Sequence, residues 1–346
     1  MRSGMRSCCD KILKFQRARR HFHHSRAREG SSRADASRSF SIRSQDVSMP
    51  SDSTLIIKLG AMGDVLRTTT LLHIVGTPVT WVTRRASVPL LQNIAQLEVV
   101  PYEDAARLAG RRFDLAVCLD DEPEACRILE TVHWERHVGA RLDAGRIVYG
   151  ESAAPWYDMG LLSRFGKEHA DELKKRNQRS YQDYLFEMLG ARFAGQEYIF
   201  GYPPRAVRER RVGVETRADP RWQLKRWGRY PQFVEQLRAD GVEVVVFEQR
   251  DDVRDFIADV NSCRVVVTGD TLTMHVALAL RKRVVAVFGP TSAPEIFDYG
   301  RLTKVVSPIE CICCYLRSCD KVPNCMDLIP LEQLHTVTLQ ALGDEA

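Results

Sequence analysis

A short stretch after the first fifty residues combines a carboxylate with a backbone that a ligand can approach closely. Residues 58–64 read KLGAMGD, between a short apolar run and a helical pattern. Gly60 and Gly63 let the backbone bend tightly and leave room for a ligand. Asp64 has two interpretations: it caps the helix that follows, or it is a general base that takes the proton of an attacking hydroxyl. The motif alone leaves both open.

A second stretch places cations between aromatic residues. Residues 219–230 read DPRWQLKRWGRY and precede a predicted helix that starts near Pro231. The charges of Lys225 and Arg226 suit a diphosphate and would stabilise a departing nucleotide. A run of this composition is more often a solvated surface. Its position after the first strand of a predicted α/β unit favours phosphate binding.

A third stretch opens a helix directly after a buried strand. Asp270 and Thr271 stand at the predicted helix start, where free backbone amides and the helix dipole favour a phosphate. His275 lies one turn later, on the same face as Thr271. Gly289 and Thr291 follow the next strand. We therefore predict that these five residues line one ligand site.

Two series of strands alternating with helices must position these motifs. Such alternation is typical of parallel sheets covered on both faces, and such sheets bind ligands beyond the carboxyl ends of their strands. We predict an α/β fold with two Rossmann-like, doubly wound domains over 51–195 and 196–346, which face each other across a cleft. The predicted strands are 54–59, 79–82, 97–100, 114–119 and 146–149 in the first series, and 211–215, 242–247, 264–267 and 283–288 in the second.

Charge is distributed unevenly along the 346 residues. Residues 1–50 hold twelve Lys and Arg against four Asp and Glu, and the remainder holds 38 against 41. A nearly neutral body argues against nucleic-acid binding. We interpret 1–50 as a disordered Arg- and Ser-rich tail or a mis-annotated start ahead of Met49, although an organelle transit peptide has a similar composition. No secretory segment or membrane-length apolar run appears, so a cytoplasmic location is expected.

Half of the ten cysteines fall within residues 311–325, here called the Cys loop. Cys311, Cys314, Cys319 and Cys325 could surround one tetrahedral metal ion, either zinc or iron, since both accept four thiolates. A disulfide or redox-active pair is the alternative. A reducing cytoplasm disfavours it.

In this order and spacing the three stretches resemble glycosyltransferase family nine, the ADP-heptose:lipopolysaccharide heptosyltransferase family. The resemblance is carried by GAMGDVL, LKRW, GDTxxMHxAxAL and FGPTS and runs from about Thr54 to the C terminus. It implies a GT-B fold, inverting and metal-independent transfer, and an acceptor bound by the N-terminal half. The family's functional residues fall here on Asp64 as catalytic base, Lys225 as diphosphate ligand, and Asp270, Thr271 and His275 as donor motif.

The resemblance extends to Glu248, which would contact the ribose of the donor. It departs at Leu272, where well-known heptosyltransferases have glycine; a side chain there limits how closely a phosphate can approach the backbone.

The predicted function is transfer of a sugar, with heptose as the candidate, from a nucleotide-diphosphate donor to a hydroxyl of a glycan or lipid-linked glycan of lipopolysaccharide type. No organic cofactor, no nucleic acid and at most peripheral contact with the inner membrane are expected. A nucleotide-sugar 2-epimerase of the same architecture and a non-catalytic nucleotide- or metal-binding module are the alternatives.

Overall fold

The structure, a computed structural model, describes residues 52–343. The leader predicted over 1–50 lies outside the described residues. No helix within the described residues is long and apolar enough to cross a membrane.

The first half is built on a six-stranded sheet of order β3-β2-β1-β4-β5-β6. All neighbours are parallel except β5 and β6, which form an antiparallel pair. Three 3-10 segments, 69–73, 85–91 and 102–108, occupy connections between strands where the alternating pattern predicted helices. The strands are β1 (Asp52–Ile57), β2 (Val79–Thr83), β3 (Leu97–Pro101), β4 (Arg112–Cys118), β5 (His133–Asp143) and β6 (Arg146–Tyr149); the helices are α1 (Met62–Thr68), α2 (Pro123–Thr131), α3 (Ala154–Tyr157), α4 (Lys167–Arg176) and α5 (Tyr181–Met188).

The second half is built on a fully parallel five-stranded sheet of order β11-β10-β9-β7-β8. A 3-10 segment, Pro220–Lys225, follows the first strand. The strands are β7 (Arg211–Val214), β8 (Glu243–Val246), β9 (Val265–Gly269), β10 (Arg283–Phe288) and β11 (Leu302–Val306); the helices are α6 (Tyr230–Ala239), α7 (Val253–Asn261), α8 (Leu272–Ala279) and α9 (Leu331–Gly343).

Each sheet has one point where the strand order reverses. In the first sheet it lies between β1 and β4, and in the second between β7 and β9. Ligands of open α/β sheets bind beyond the carboxyl ends of the strands at such points. The predicted fold of two doubly wound halves is confirmed, and its two reversal points are the places to look for a site.

The two halves pack directly against each other. Leu66 of α1 is fully buried in the same apolar cluster as Met274 of α8. Tyr202, in the segment between the halves, donates its hydroxyl to the carbonyl of Pro89 at 2.8 Å. The junction is therefore made of side chains from both halves, and α1 and α8 form its centre.

Two strands were not predicted. The sequence of β5, HWERHVGARLD, lacks an apolar run, and its first four residues are exposed. It is a strand because β4 and β6 pair with it on either side. The edge strand β11, LTKVV, is too short and polar to stand out, and β10 pairs with it along its whole length.

Candidate active site

An ion pair closes the reversal point of the first sheet. Lys58 follows β1 and Asp120 follows β4, and the Lys58 Nζ lies 2.6 Å from Asp120 Oδ1 with both side chains buried. Burial lowers the pKa of Lys58, but the attraction of Asp120 outweighs it and the net shift is upward. The Leu59 amide also donates to Asp120. The Lys58–Asp120 pair therefore stabilises the turn that contains Gly60 and Gly63.

Asp64 lies in the first turn of α1 and pairs with Arg67 one turn later. The Asp64 Oδ1 is 2.9 Å from the Arg67 guanidinium, which in turn lies 3.8 Å from the ring centroid of Tyr181. The N-cap position is held by Ala61, so Asp64 is not the capping residue. Burial raises the pKa of Asp64, but Arg67 and Lys58 outweigh it and hold that pKa below its usual value.

A second lysine–aspartate pair lies at the reversal point of the other sheet. The Lys225 Nζ is 3.2 Å from both the carbonyl oxygen and the carboxylate of Asp270, which follows β9. Burial raises the pKa of Asp270, but Lys225 and other nearby donors outweigh it, so the carboxyl is held below its usual pKa; the Thr291 hydroxyl is one of these donors. Unlike the first pair, this pair is only partly buried, which leaves the ammonium accessible to a ligand.

Gly63 and His275 bring the two reversal points together. A Cβ built on Gly63 would lie 2.6 Å from His275 Cδ2, so α1 approaches α8 through this glycine. The His275 Nδ1 lies 3.2 Å from the Tyr198 hydroxyl. Burial and then the nearby Arg67 lower the pKa of His275 to about 4, so its ring is neutral at pH 7. The charges of Asp270 and Asp64 oppose this lowering of the His275 pKa.

The remaining predicted site residues make fewer contacts with the residues at the junction. Thr271 is the N-cap of α8, and its hydroxyl lies 3.0 Å from the Thr268 hydroxyl. Arg226 is exposed at the end of the 3-10 segment. Glu248 is exposed just beyond the edge strand β8. Gly289 faces the Cys loop: a Cβ on it would lie 2.7 Å from the Cys325 sulfur, so packing accounts for this glycine.

Three residues near Asp64 were missed by the sequence analysis. Glu295 is buried, and burial raises its pKa while Arg67 opposes the rise. The Tyr181 amide donates to the Glu295 carbonyl at 3.0 Å. Arg67 carried a readable signal because residues three apart share one helix face. Tyr181 begins α5 and Glu295 lies in the loop after β10; both are far from Asp64 in the sequence, and no local pattern marks them.

The Cys loop carries five free thiols, four of which are the predicted metal ligands. Every cysteine of residues 52–343 is free. Burial, together with the charges of Cys314, Cys319 and Cys311, raises the pKa of Cys325 to about 11. Among the described residues no three Cys, His, Asp or Glu side chains are arranged to hold a metal ion. Cys311, Cys314 and Cys319 are nevertheless close enough to Cys325 to act on its pKa.

A cavity of about 640 Å³ lies beside the junction. Ser180 and Asp183 line it from the first half, and Thr291 and Lys304 line it from the second. Thr291 is its only lining residue among the predicted site residues.

Substitution of Gly63 tests the contact between the halves. In Gly63→Ala the new methyl must displace the buried ring of His275, and such overpacking costs about 1–3 kcal/mol. We expect a lower free energy of unfolding by chemical denaturation even though alanine favours helix. Gly60→Ala is the matched control, since a Cβ there meets nothing within 4 Å. Equal stability of the two variants would contradict the close approach of α1 and α8.

Two doubly wound halves that face each other are the architecture of the GT-B class of glycosyltransferases. Within that class, the resemblance to glycosyltransferase family nine is confirmed. The family model described as glycosyltransferase family 9 (heptosyltransferase) matches residues 250–321, which include α7, β9, α8 and β10. This match covers part of the second half and, together with the two-domain fold, supports a glycosyltransferase enzyme.

Solved structures share the fold at low sequence identity. Heptosyltransferase WaaC of E. coli, solved with ADP, is 14% identical over 84% of this chain and 99% of its own, with a TM-score of 0.56. A family 9 glycosyltransferase of Veillonella parvula is 14% identical over 84% and 97%, with a TM-score of 0.53. The iron-containing dodecameric glycosyltransferase TibC of enterotoxigenic E. coli is 14% identical over 84% and 76%, with a TM-score of 0.51. No curated protein matches the sequence.

Proposed function

We propose that this protein is an inverting glycosyltransferase that moves a sugar, with ADP-linked heptose as the leading donor, onto a hydroxyl of a glycan or lipopolysaccharide-type acceptor. The acceptor oxygen attacks the anomeric carbon and forms the new bond. The bond from that carbon to the diphosphate oxygen breaks, and its electron pair leaves with the nucleoside diphosphate. The hydroxyl proton passes to the Asp64 carboxylate.

One observation carries this proposal. Gly63, which directly precedes Asp64 in the first half, lies against the His275 ring of α8, and Asp270, just before that helix, pairs with Lys225. A proton acceptor and a phosphate-binding lysine therefore lie on opposite sides of one junction. Ligands of GT-B halves bind between them, which is the arrangement that in-line displacement needs.

The donor half supplies the remaining groups. Lys225, with Arg226 beside it, binds the diphosphate. The free backbone amides at the start of α8, which follow the N-cap Thr271, donate further hydrogen bonds to it. The neutral His275 ring donates or accepts a hydrogen bond without adding charge. Glu248, exposed beyond β8, is proposed to bind the ribose. Thr291 holds Asp270 in place.

An assay with defined donors tests this function. Thermal shift with ADP, UDP and GDP identifies the nucleotide, since a ligand that binds the folded form raises its apparent stability. ADP-heptose is then incubated with and without a truncated lipopolysaccharide glycan. We expect nucleoside diphosphate release and an inverted product only with acceptor. An isomerised donor formed without acceptor would instead indicate a 2-epimerase.

The pair of Asp64 and Arg67 predicts a shift in pH dependence. Arg67 favours the ionised carboxylate, so Asp64 stays a competent base to a lower pH than an isolated carboxyl would. In Arg67→Gln the pKa of Asp64 rises, and the acidic limb of kcat/KM against pH moves to higher pH. Arg238→Gln, an exposed arginine at the end of α6, is the control. An unmoved acidic limb would show that Asp64 is not the titrating base.

We further propose a structural metal in the Cys loop, held by Cys311, Cys314, Cys319 and Cys325. Four thiols that influence one another in one loop suit zinc or iron, and the iron-containing TibC has the same fold. Such an ion would stabilise the loop without entering the reaction. Elemental analysis is expected to find about one ion per chain in the wild type and a loss in Cys314→Ser, whereas Cys126→Ser on α2 should keep it. A wild type without metal would contradict this proposal.

We also propose that the two domains are 51–195 and 196–346, that the first binds the acceptor, and that the enzyme works in the cytoplasm with peripheral contact at the inner membrane.

A further inference from the structure

One tryptophan ring brings together two cations from distant parts of the chain. The Lys225 Nζ lies 5.3 Å from the ring centroid of Trp222, and the guanidinium carbon of Arg317 lies 5.9 Å from the same centroid. Cations within about 6 Å of an indole ring are attracted to it. Trp222 thus places Arg317, a residue of the Cys loop, beside the lysine assigned to the diphosphate.

The Cys loop is fastened to the donor side of the junction. The Tyr315 amide donates to the Pro290 carbonyl at 2.8 Å, and the Ser292 amide donates to the Tyr315 hydroxyl at 3.2 Å. Pro290 is the second residue after β10 and lies between the predicted donor residues Gly289 and Thr291. Arg317 comes two residues after Tyr315, so its backbone starts from an anchored point.

The positive charges near Trp222 are only partly neutralised by neighbouring carboxylates, so an anion can bind there. Lys225 lies 3.2 Å from the Asp270 carboxylate, which offsets part of its charge. Arg317 is exposed, and within residues 52–343 no carboxylate forms an ion pair with it. A nucleoside diphosphate brings at least two negative charges, more than a partly neutralised lysine balances. A guanidinium binds phosphate oxygens in a two-pronged geometry that an ammonium lacks.

We propose that Arg317 is a second diphosphate ligand, so that the Cys loop serves the donor site by carrying a cation to it. This inference rests on the proposed function and extends it. It assigns the loop a binding role that does not depend on which metal, if any, holds its thiols.

Calorimetric titration of the full chain with ADP and with adenosine tests the assignment. In Arg317→Gln we expect ADP affinity to fall about tenfold and adenosine affinity to stay unchanged, since the guanidinium contacts only phosphate. Arg317→Lys should recover part of the loss. Arg238→Gln is the matched control because Arg238 is also an exposed arginine of the second half. ADP affinity should also fall less steeply with rising salt concentration in Arg317→Gln than in the wild type.

The possible results distinguish a failure of the Arg317 assignment from a failure of the proposed function. If the wild type binds ADP and Arg317→Gln binds it equally well, the Arg317 assignment is overturned and the proposed function stands. An equal loss for adenosine would also overturn it, because the effect would then not pass through the phosphates. If the wild type binds neither ADP, UDP nor GDP, the proposed function fails together with this inference. Unchanged thermal unfolding of the exposed variant excludes a folding defect.

Discussion

Asp64→Asn should reduce kcat for sugar transfer by about 10² to 10⁴-fold, the usual contribution of a general base. The amide keeps the shape of the carboxylate and an oxygen that can still accept from Arg67, but it cannot take the proton of the acceptor hydroxyl. Donor binding should remain near the wild-type value, because the diphosphate is bound by the other half.

Steady-state kinetics and ADP titration measure the two effects separately. Asp114→Asn, an exposed aspartate on β4, makes the same chemical change away from the junction and should leave kcat unaltered. Full turnover by Asp64→Asn would remove Asp64 from the role of base.

Lys225→Met should weaken ADP binding and lower kcat/KM by about tenfold to a hundredfold. A hydrogen bond to a charged group contributes about 1.5–3 kcal/mol, and methionine retains much of the apolar stem while removing the ammonium. The same substitution removes the main group that lowers the pKa of Asp270, so that pKa should rise. A negative carboxylate left without its cation would repel the phosphates and add to the loss.

The matched control is Lys167→Met on α4, where an exposed lysine pairs with Asp171 and surface pairs of this kind contribute little. Titration with ADP and thermal unfolding of both variants separate binding from stability. An ADP affinity in Lys225→Met equal to that of the wild type would show that the diphosphate binds elsewhere.

Strands with an unbroken apolar run were predictable from the sequence. Both β2 and β9 are buried at every position, and each starts within one residue of its predicted boundary. By contrast, β5 is a strand because of its neighbours, and its own residues are largely polar. Pairing across a sheet is a long-range effect that local composition does not record.

Some residues of the candidate site were also predictable from local sequence, and others were not. Local motifs marked Asp64, Lys225 and Asp270, because each lies in the segment between a predicted strand and the body of the next helix. They did not mark Tyr181, whose ring lies against Arg67 only after the chain has folded. The sequence also predicted Gly63 as room for a ligand, whereas the structure uses that room to seat His275.

The most direct test of the account is a crystal structure with ADP-2-deoxy-2-fluoro heptose, the donor analogue bound to E. coli heptosyltransferase WaaC. We predict that its diphosphate lies within hydrogen-bond distance of the Lys225 Nζ and that its anomeric carbon faces the Asp64 carboxylate across the junction. An analogue seated instead in the cavity beside Ser180 and Lys304, with Asp64 directed away from the sugar, would contradict the account.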